Sequence, residues 1–214
     1  MSTASLHSRT MSDSAPPTPS RADNSRGLLL VISGPSGVGK TTIVREVIRR
    51  LDAVFSVSAT TRPKTVADVE GRDYFFITEE EFQRRIEAGD FLEYAQVFGR
   101  SWYGTPKQAV NEALEKGRIV LLEIDVQGAL QINRAMPEAF MIFVEPPNED
   151  ELLRRLRERK REDESAIARR FAESKREIKV AHESDAYDAF VVNDQLERAV
   201  REIVELVNQQ MARA

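Results

Sequence analysis

The chain has no cysteine, which removes disulfides and thiolate metal sites from consideration and suits a reducing interior. It has two histidines, His7 in a Ser- and Pro-rich tail and His182 in a polar helical stretch. Neither lies near a candidate site, so imidazole is not expected to carry the chemistry. No apolar run approaches the roughly 18 residues needed to span a bilayer. Nor is one sign of charge in excess: 31 basic and 35 acidic residues leave a net charge of −4, too balanced for global attachment to nucleic acid or membrane. The expectation is a soluble, cytoplasmic protein with neither of those partners. Nothing in the sequence sets an oligomeric state.

What the chain does have is enough apolar material, 41% of 214 residues, for one α/β domain with a small inserted subdomain. Residues 1–26 stand apart. They are rich in Ser, Thr and Pro, include Pro16, Pro17 and Pro19, and show no apolar period, so they read as a disordered extension. Arg9, Arg21 and Arg26 suit a transit peptide, but Asp13, Asp23 and the prolines do not, and Met11 offers an alternative start.

After Gly27 the texture alternates. Apolar runs at Leu28 to Ser33, Ile119 to Ile124, Ala139 to Val144 and Ala189 to Val192 have the character of strands buried on both faces. Helical patterns separate them: Lys40 to Leu51, Thr105-Pro106 to Glu115 with Gly117 as a stop, Asn148 to about Arg161, and Gln195 onward. Thr78 with Glu81, and Asn148 with Glu151, have the spacing of a capped first turn. A parallel sheet flanked by helices is the expected core. Between its first helix and second long strand, Phe55 to Ser58, Tyr74 to Ile77 and Leu92 to Val97 alternate only partly, as in a small, half-exposed β subdomain.

The octapeptide Gly34-Pro35-Ser36-Gly37-Val38-Gly39-Lys40-Thr41 follows the first strand and opens the first helix, the setting of a phosphate-binding loop. Glycines allow N–H groups to converge on phosphate oxygens, the helix presents its positive end, Lys40 adds charge, and the Thr41 hydroxyl can ligate magnesium. A nucleoside triphosphate is the expected ligand. Leu121-Leu122-Glu123-Ile124-Asp125 is an apolar strand running into acid; it either begins a loop or places a carboxylate beside the metal at the sheet's C-terminal edge. Glu123 and Asp125 fall on one face by strand alternation. The arginine-rich stretch Leu152 to Glu164 has acid and base four apart, as in Glu151 with Arg155, which by charge pattern alone is a solvated helix.

Taken in order, the phosphate loop, Ser58-Ala59-Thr60-Thr61-Arg62, Gly71-Arg72-Asp73-Tyr74-Phe75-Phe76, Phe91-Leu92-Glu93-Tyr94-Ala95, Tyr103-Gly104-Thr105 and Asp125-Val126-Gln127-Gly128 resemble the guanylate kinase family. The resemblance runs from about Gly27 to the end. It implies transfer of the γ-phosphoryl group of ATP to GMP, with Mg2+, on a nucleoside monophosphate kinase fold. That fold would divide into a core (27–54, 105–150 and 171–208), a GMP-binding β subdomain (55–104) and a helical lid (151–170).

By position, the resemblance assigns Ser58, Glu93, Thr105 and Asp125 to the guanine side, and Arg62, Tyr74, Tyr103 and Gly104 to the rest of GMP. Gly34 to Thr41, with Thr42 and Asn193, fall to ATP. Thr41 and Asp125 fall to the metal, and Lys40, Arg62, Arg155, Arg159 and Arg170 to the transferring phosphates. The chemistry is consistent, because guanine offers two adjacent donors to one carboxylate while adenine offers an acceptor there. Three departures mark this chain: Thr65 stands for a second arginine, Val66-Ala67-Asp68 for Pro-Gly-Glu, and Arg159-Lys160-Arg161 for Arg-Gly-Thr. Lys64 offers a flexible charge in place of the missing arginine fork. Two other readings remain at this stage, a non-catalytic module that captures a phosphorylated partner and a related kinase acting on a sugar phosphate.

Overall fold

Alternate side chains of one strand organise the core. In a computed structural model, which describes residues 27–97, 99–158 and 163–213, the strand β1 (Leu29–Ser33) is buried along its whole length. Leu30 and Ile32 point into one apolar cluster and Leu29 and Val31 into another, as the two-residue period of a strand requires. The first cluster is completed by α1 (Lys40–Leu51) through Ile43, Val44 and Val47, and by α7 (Leu196–Met211) through Ala199, Val200, Ile203 and Val207. The second is completed by α3 (Lys107–Glu115) and α4 (Val126–Ala135). Truncating a fully buried leucine such as Leu30 in a core of this kind costs about 2–5 kcal/mol.

Around β1 lies a five-stranded parallel sheet containing β2 (Val54–Phe55), β7 (Val120–Glu123), β8 (Phe140–Glu145) and β9 (Ala189–Val192), in the order β2-β7-β1-β8-β9. The expected α/β class is the one observed, with helices on both faces. A second, mixed sheet has the order β4-β3-β6-β5, built from β3 (Ala59–Thr60), β4 (Phe75–Phe76), β5 (Phe91–Val97) and β6 (Ser101–Pro106). The helix α2 (Glu79–Ala88) covers it, stacking Phe82 on Phe91 at 4.5 Å and on Trp102 at 5.9 Å. Thr78 caps α2 by accepting from the Glu81 N–H at 3.2 Å.

Several elements differ from the sequence reading. Phe55 belongs to the parallel sheet and not to the small one, because the Val54 and Ser56 N–H groups donate to Ile119 and Leu121 carbonyls at 2.8 and 3.0 Å. The helix expected from Thr105-Pro106 starts at Lys107, since Thr105 and Pro106 are held in β6 by antiparallel pairing with β5. The helix α5 (Glu149–Glu158) starts where expected, with Asn148 accepting from the Glu151 N–H at 2.8 Å, and the rest of the stretch expected to run to about Arg161 lies outside the described residues. The sequence reading does not delimit the strand β6 or the helices α4 and α6 (Glu164–Glu183).

Candidate functional site

The phosphate loop is shaped by what surrounds it. Gly34 has φ 153°, and a Cβ there would meet the Val144 carbonyl at 2.4 Å; Gly39 has φ 96°, and its Cβ would meet Asn193 Nδ2 at 2.8 Å. Side chains are thus excluded both by backbone conformation and by close neighbours. Lys40 reaches back over the loop, its ammonium donating to the Gly34 carbonyl and, at 3.4 Å, to that of Pro35. The Thr41 hydroxyl donates to Glu123 Oε1 at 2.8 Å, so the loop is joined to the C-terminal end of β7. Thr42 lies in the first turn of α1, its N–H donating to the Gly39 carbonyl at 3.2 Å. Val38 is buried, and its carbonyl accepts from Asn193 Nδ2 at 2.7 Å and from Arg155 at 3.2 Å.

Opposite the loop stands the small sheet. Glu93 on β5 and Thr105 on β6 are paired neighbours, and the Thr105 hydroxyl donates to Glu93 Oε1 at 2.6 Å. The Glu93 carboxylate is almost wholly enclosed, and a Cβ on Gly128 would come within 2.9 Å of its second oxygen. Burial pushes its pKa up to about 7, with Asp125 adding to the rise and the Thr105 hydroxyl working against it. Asp125 caps α4, accepting from the Gly128 N–H at 2.8 Å. Tyr74 and Tyr103 meet edge to face at 5.6 Å. Gly104 is tightly enclosed, with Phe91 and Phe82 3.0 and 3.1 Å from where a Cβ would sit, so a side chain there would push these rings aside.

Between these walls lies one cleft of roughly 710 Å³, lined among others by Lys40, Thr41, Ser58, Tyr74, Glu93, Tyr103 and Asp125. Residues expected to bind triphosphate and residues expected to read a purine therefore share a single space. Thr105 and Gly104 support this wall from within β6. Arg62 sits behind it, over the rings of Tyr74 and Phe76 at 5.3 Å each, with its terminal nitrogens held by Asp68 at 3.0 Å on both oxygens. Asp68 also accepts from the Thr65 N–H and hydroxyl, each at 2.7 Å, and the pull of Arg62 and Thr65 holds its carboxyl far below the usual carboxylate range. Two of the residues that depart from the family pattern thus meet at one arginine. Lys64 shares the Phe76 ring with Arg62, at 5.7 Å, and lies 4.0 Å from Glu70.

Of the arginines expected at the phosphates, Arg155 is bound to the back of the loop. It donates to the carbonyls of Val38 and of Asn193, the latter at 2.9 Å, while Glu151 holds its Nε at 2.7 Å. Arg170 donates to the Ser36 hydroxyl of the loop itself. Arg159, together with Lys160 and Arg161, lies outside the described residues. The sequence reading passed over Arg45 and quoted Arg72 in a motif without giving it a role; both line the cleft. Arg45 could have been found from its position four residues after Thr41, on the same side of α1.

Fold and cleft together define a class, the phosphate-loop α/β nucleotide kinases. A model of the family described as guanylate kinase matches residues 26–210. A guanylate kinase of Clostridioides difficile is 47% identical over 184 residues, covering 86% of this chain and 88% of that protein. One of Thermotoga maritima is 45% identical over 189 residues, covering 88% and 89%. Among solved structures, the crystal structure of guanylate kinase from Anaplasma phagocytophilum superposes with a TM-score of 0.67 at 32% identity, covering 87% of each chain. The chain belongs to the guanylate kinase family. It is accordingly a nucleoside monophosphate kinase, an enzyme and not a bare binding module.

Proposed function

We propose that this cleft transfers the γ-phosphoryl group of ATP to GMP, giving ADP and GDP, with the two nucleotides bound on its facing walls. The observation that carries the reading is the presence of Lys40 and Glu93 in one cleft. GMP would place its N1–H and exocyclic amine on Glu93, which is oriented by Thr105, and its O6 near Ser58, with Asp125 close by. Its phosphate would meet the hydroxyls of Tyr74 and Tyr103, and Arg62, whose terminal nitrogens are bound to Asp68 and Pro63, would have to release them to join that contact. Gly34 to Thr41, Thr42 and Asn193 would surround the ATP. Arg155 would act by fixing the loop, and Arg170 and Lys40 by neutralising charge on the moving phosphoryl group.

The acceptor phosphate is mostly dianionic at neutral pH and can attack without a general base. Catalysis then consists of bringing two anions into line, excluding water and offsetting charge. Magnesium fits the site chemically. Mg2+ is commonly held by one or two protein oxygens together with substrate phosphates and water, and the Thr41 hydroxyl beside Glu123 supplies hard oxygen donors, with Asp125 also in the cleft. Bound there, the ion would supply positive charge that offsets the charge of the transferring phosphates. Among the described residues no helix is long and apolar enough to cross a membrane, and a reducing cytoplasm suits a chain without cysteine.

A coupled assay of ADP release from ATP and magnesium, with GMP, AMP, CMP and UMP offered in turn, tests this reading. Turnover with GMP far above the other three is expected; equal use of AMP would overturn the assignment of Glu93.

A further inference from the structure

The small sheet is finished along one edge by a side chain. The strand β5 pairs with β6 on one side only, which leaves an edge whose backbone groups need other partners. Gln131 of α4 supplies them at Tyr94: its amide oxygen accepts from the Tyr94 N–H at 3.1 Å, and its amide nitrogen donates to the Tyr94 carbonyl at 2.9 Å. A side-chain amide carries the same donor and acceptor types as a peptide group, so Gln131 stands in for a residue of a further strand. Asp125, Gly128 and Gln131 follow at intervals of three, which puts them along one side of α4. Asp125 fixes the Gly128 N–H at 2.8 Å, and Gly128 lies so close to the Glu93 carboxylate that a Cβ there would come within 2.9 Å of it. Leu92 is buried with Ala129 and Ile132 of the same helix. Both chain neighbours of Glu93 are thus fastened to α4, Leu92 by burial and Tyr94 by two hydrogen bonds.

We propose that Gln131 is a positioning residue for guanine recognition: by completing the edge of β5 at Tyr94 it holds the preceding residue, Glu93, against Gly128 and in line with the purine edge. This rests on the reading of Glu93 as the residue that receives guanine. A carboxylate that must accept two donors at once tolerates little displacement, because hydrogen bonds weaken steeply as they bend. Thr105 steadies Glu93 from β6, on one side of the strand; Gln131 steadies the strand from the other. Without the amide, β5 would be free to shift on α4 and carry the carboxylate with it. The contact between Gln131 and Tyr94 includes no residue assigned to ATP, so its effect should fall on one nucleotide and not on both.

Equilibrium titration of the full chain with GMP, and separately with ATP and magnesium, tests the assignment. Gln131→Met keeps the length and bulk of the side chain but neither hydrogen bond, and is expected to raise the Kd for GMP about fivefold, with the Kd for ATP within about twofold. In a Glu93→Gln background the same change is expected to alter GMP affinity by less than about twofold, the non-additivity of residues that act through one contact. Gln131→Ala carries the same test should the methionine variant not fold. Unchanged GMP affinity, an equal loss for ATP, or an undiminished loss in the Glu93→Gln background would each overturn the proposal. A nucleotide-free measurement separates it from the reading of the cleft. In the parent, burial pushes the Glu93 carboxyl up to about 7, with Thr105 and Asp125 facing it; once β5 is loosened, water reaches the carboxyl, and its titration midpoint, followed by NMR, is expected to fall in Gln131→Met. A midpoint left in place would overturn the proposal. A parent that uses AMP as readily as GMP would overturn the reading of the cleft and leave the hold of Gln131 on Glu93 to be judged on that midpoint.

Discussion

At the scale of single residues, the proposed reading asks most of Glu93. It sits where burial penalises its charge, yet a guanine would need that charge to accept two hydrogen bonds. Folded, the carboxyl titrates at about 7, against an ordinary value of 4.5. Between those values the folded protein keeps a proton that the unfolded chain has lost, so this contribution to stability is full below about 4.5 and is lost as pH rises through about 7. Glu93→Gln removes the ionisation. Its thermal midpoint is expected to match the parent near pH 5 and to exceed it near pH 8; a constant difference across that range would contradict the burial argument. The same substitution is expected to weaken GMP by about 1–3 kcal/mol while leaving ATP affinity unchanged. In the parent, GMP affinity should begin to fall as pH drops below about 7; in Glu93→Gln the onset should move down to about 6, where the GMP phosphate itself takes up a proton.

Elements set which of these residues can meet. The helix α5 presents Arg155 to two carbonyls, one on the phosphate loop and one after β9. Replacing it by alanine removes the donor to the Asn193 carbonyl, while the Val38 carbonyl keeps that of Asn193 Nδ2, and an expected loss of about 1–3 kcal/mol should appear in denaturant unfolding. Arg155→Lys is expected to recover little of it, since an ammonium cannot span both acceptors as the planar fork does. The helix α2 tests a smaller contribution. Thr78→Ala removes the cap on the Glu81 N–H and is expected to cost about 1 kcal/mol without changing nucleotide affinity. The Thr78 cap was legible in sequence because capping is local. The placement of β2 was not, because Val54 and Phe55 pair with β7, a strand distant in the chain.

The whole molecule adds the relation between the two sheets. The cleft is open along a wide mouth, yet direct transfer requires the two phosphates in line with water excluded. Closure on binding both nucleotides is therefore expected. Small-angle scattering should show a smaller radius of gyration with GMP and a non-hydrolysable ATP analogue together than with either alone, and an unchanged profile would count against closure.

The sequence by itself determined the phosphate loop, the α/β class and the family, because each is written in contiguous residues: a glycine pattern between a strand and a helix, apolar runs of strand length, and short motifs in a fixed order. It also named Glu93, Tyr74 and Tyr103 through the family resemblance. Only the tertiary structure decided that Glu93 and Lys40 share a cleft, that Asp68 grips Arg62, that Glu123 meets Thr41, and that Arg170 and Ser174 hold Ser36. Those outcomes depend on burial and on contacts between segments far apart in the chain, as with Ser174 and Ser36, 138 residues apart. A local pattern carries neither the shielding from water that raises a carboxyl pKa nor the approach of two distant backbones, since both arise only once the helices have packed on the sheet.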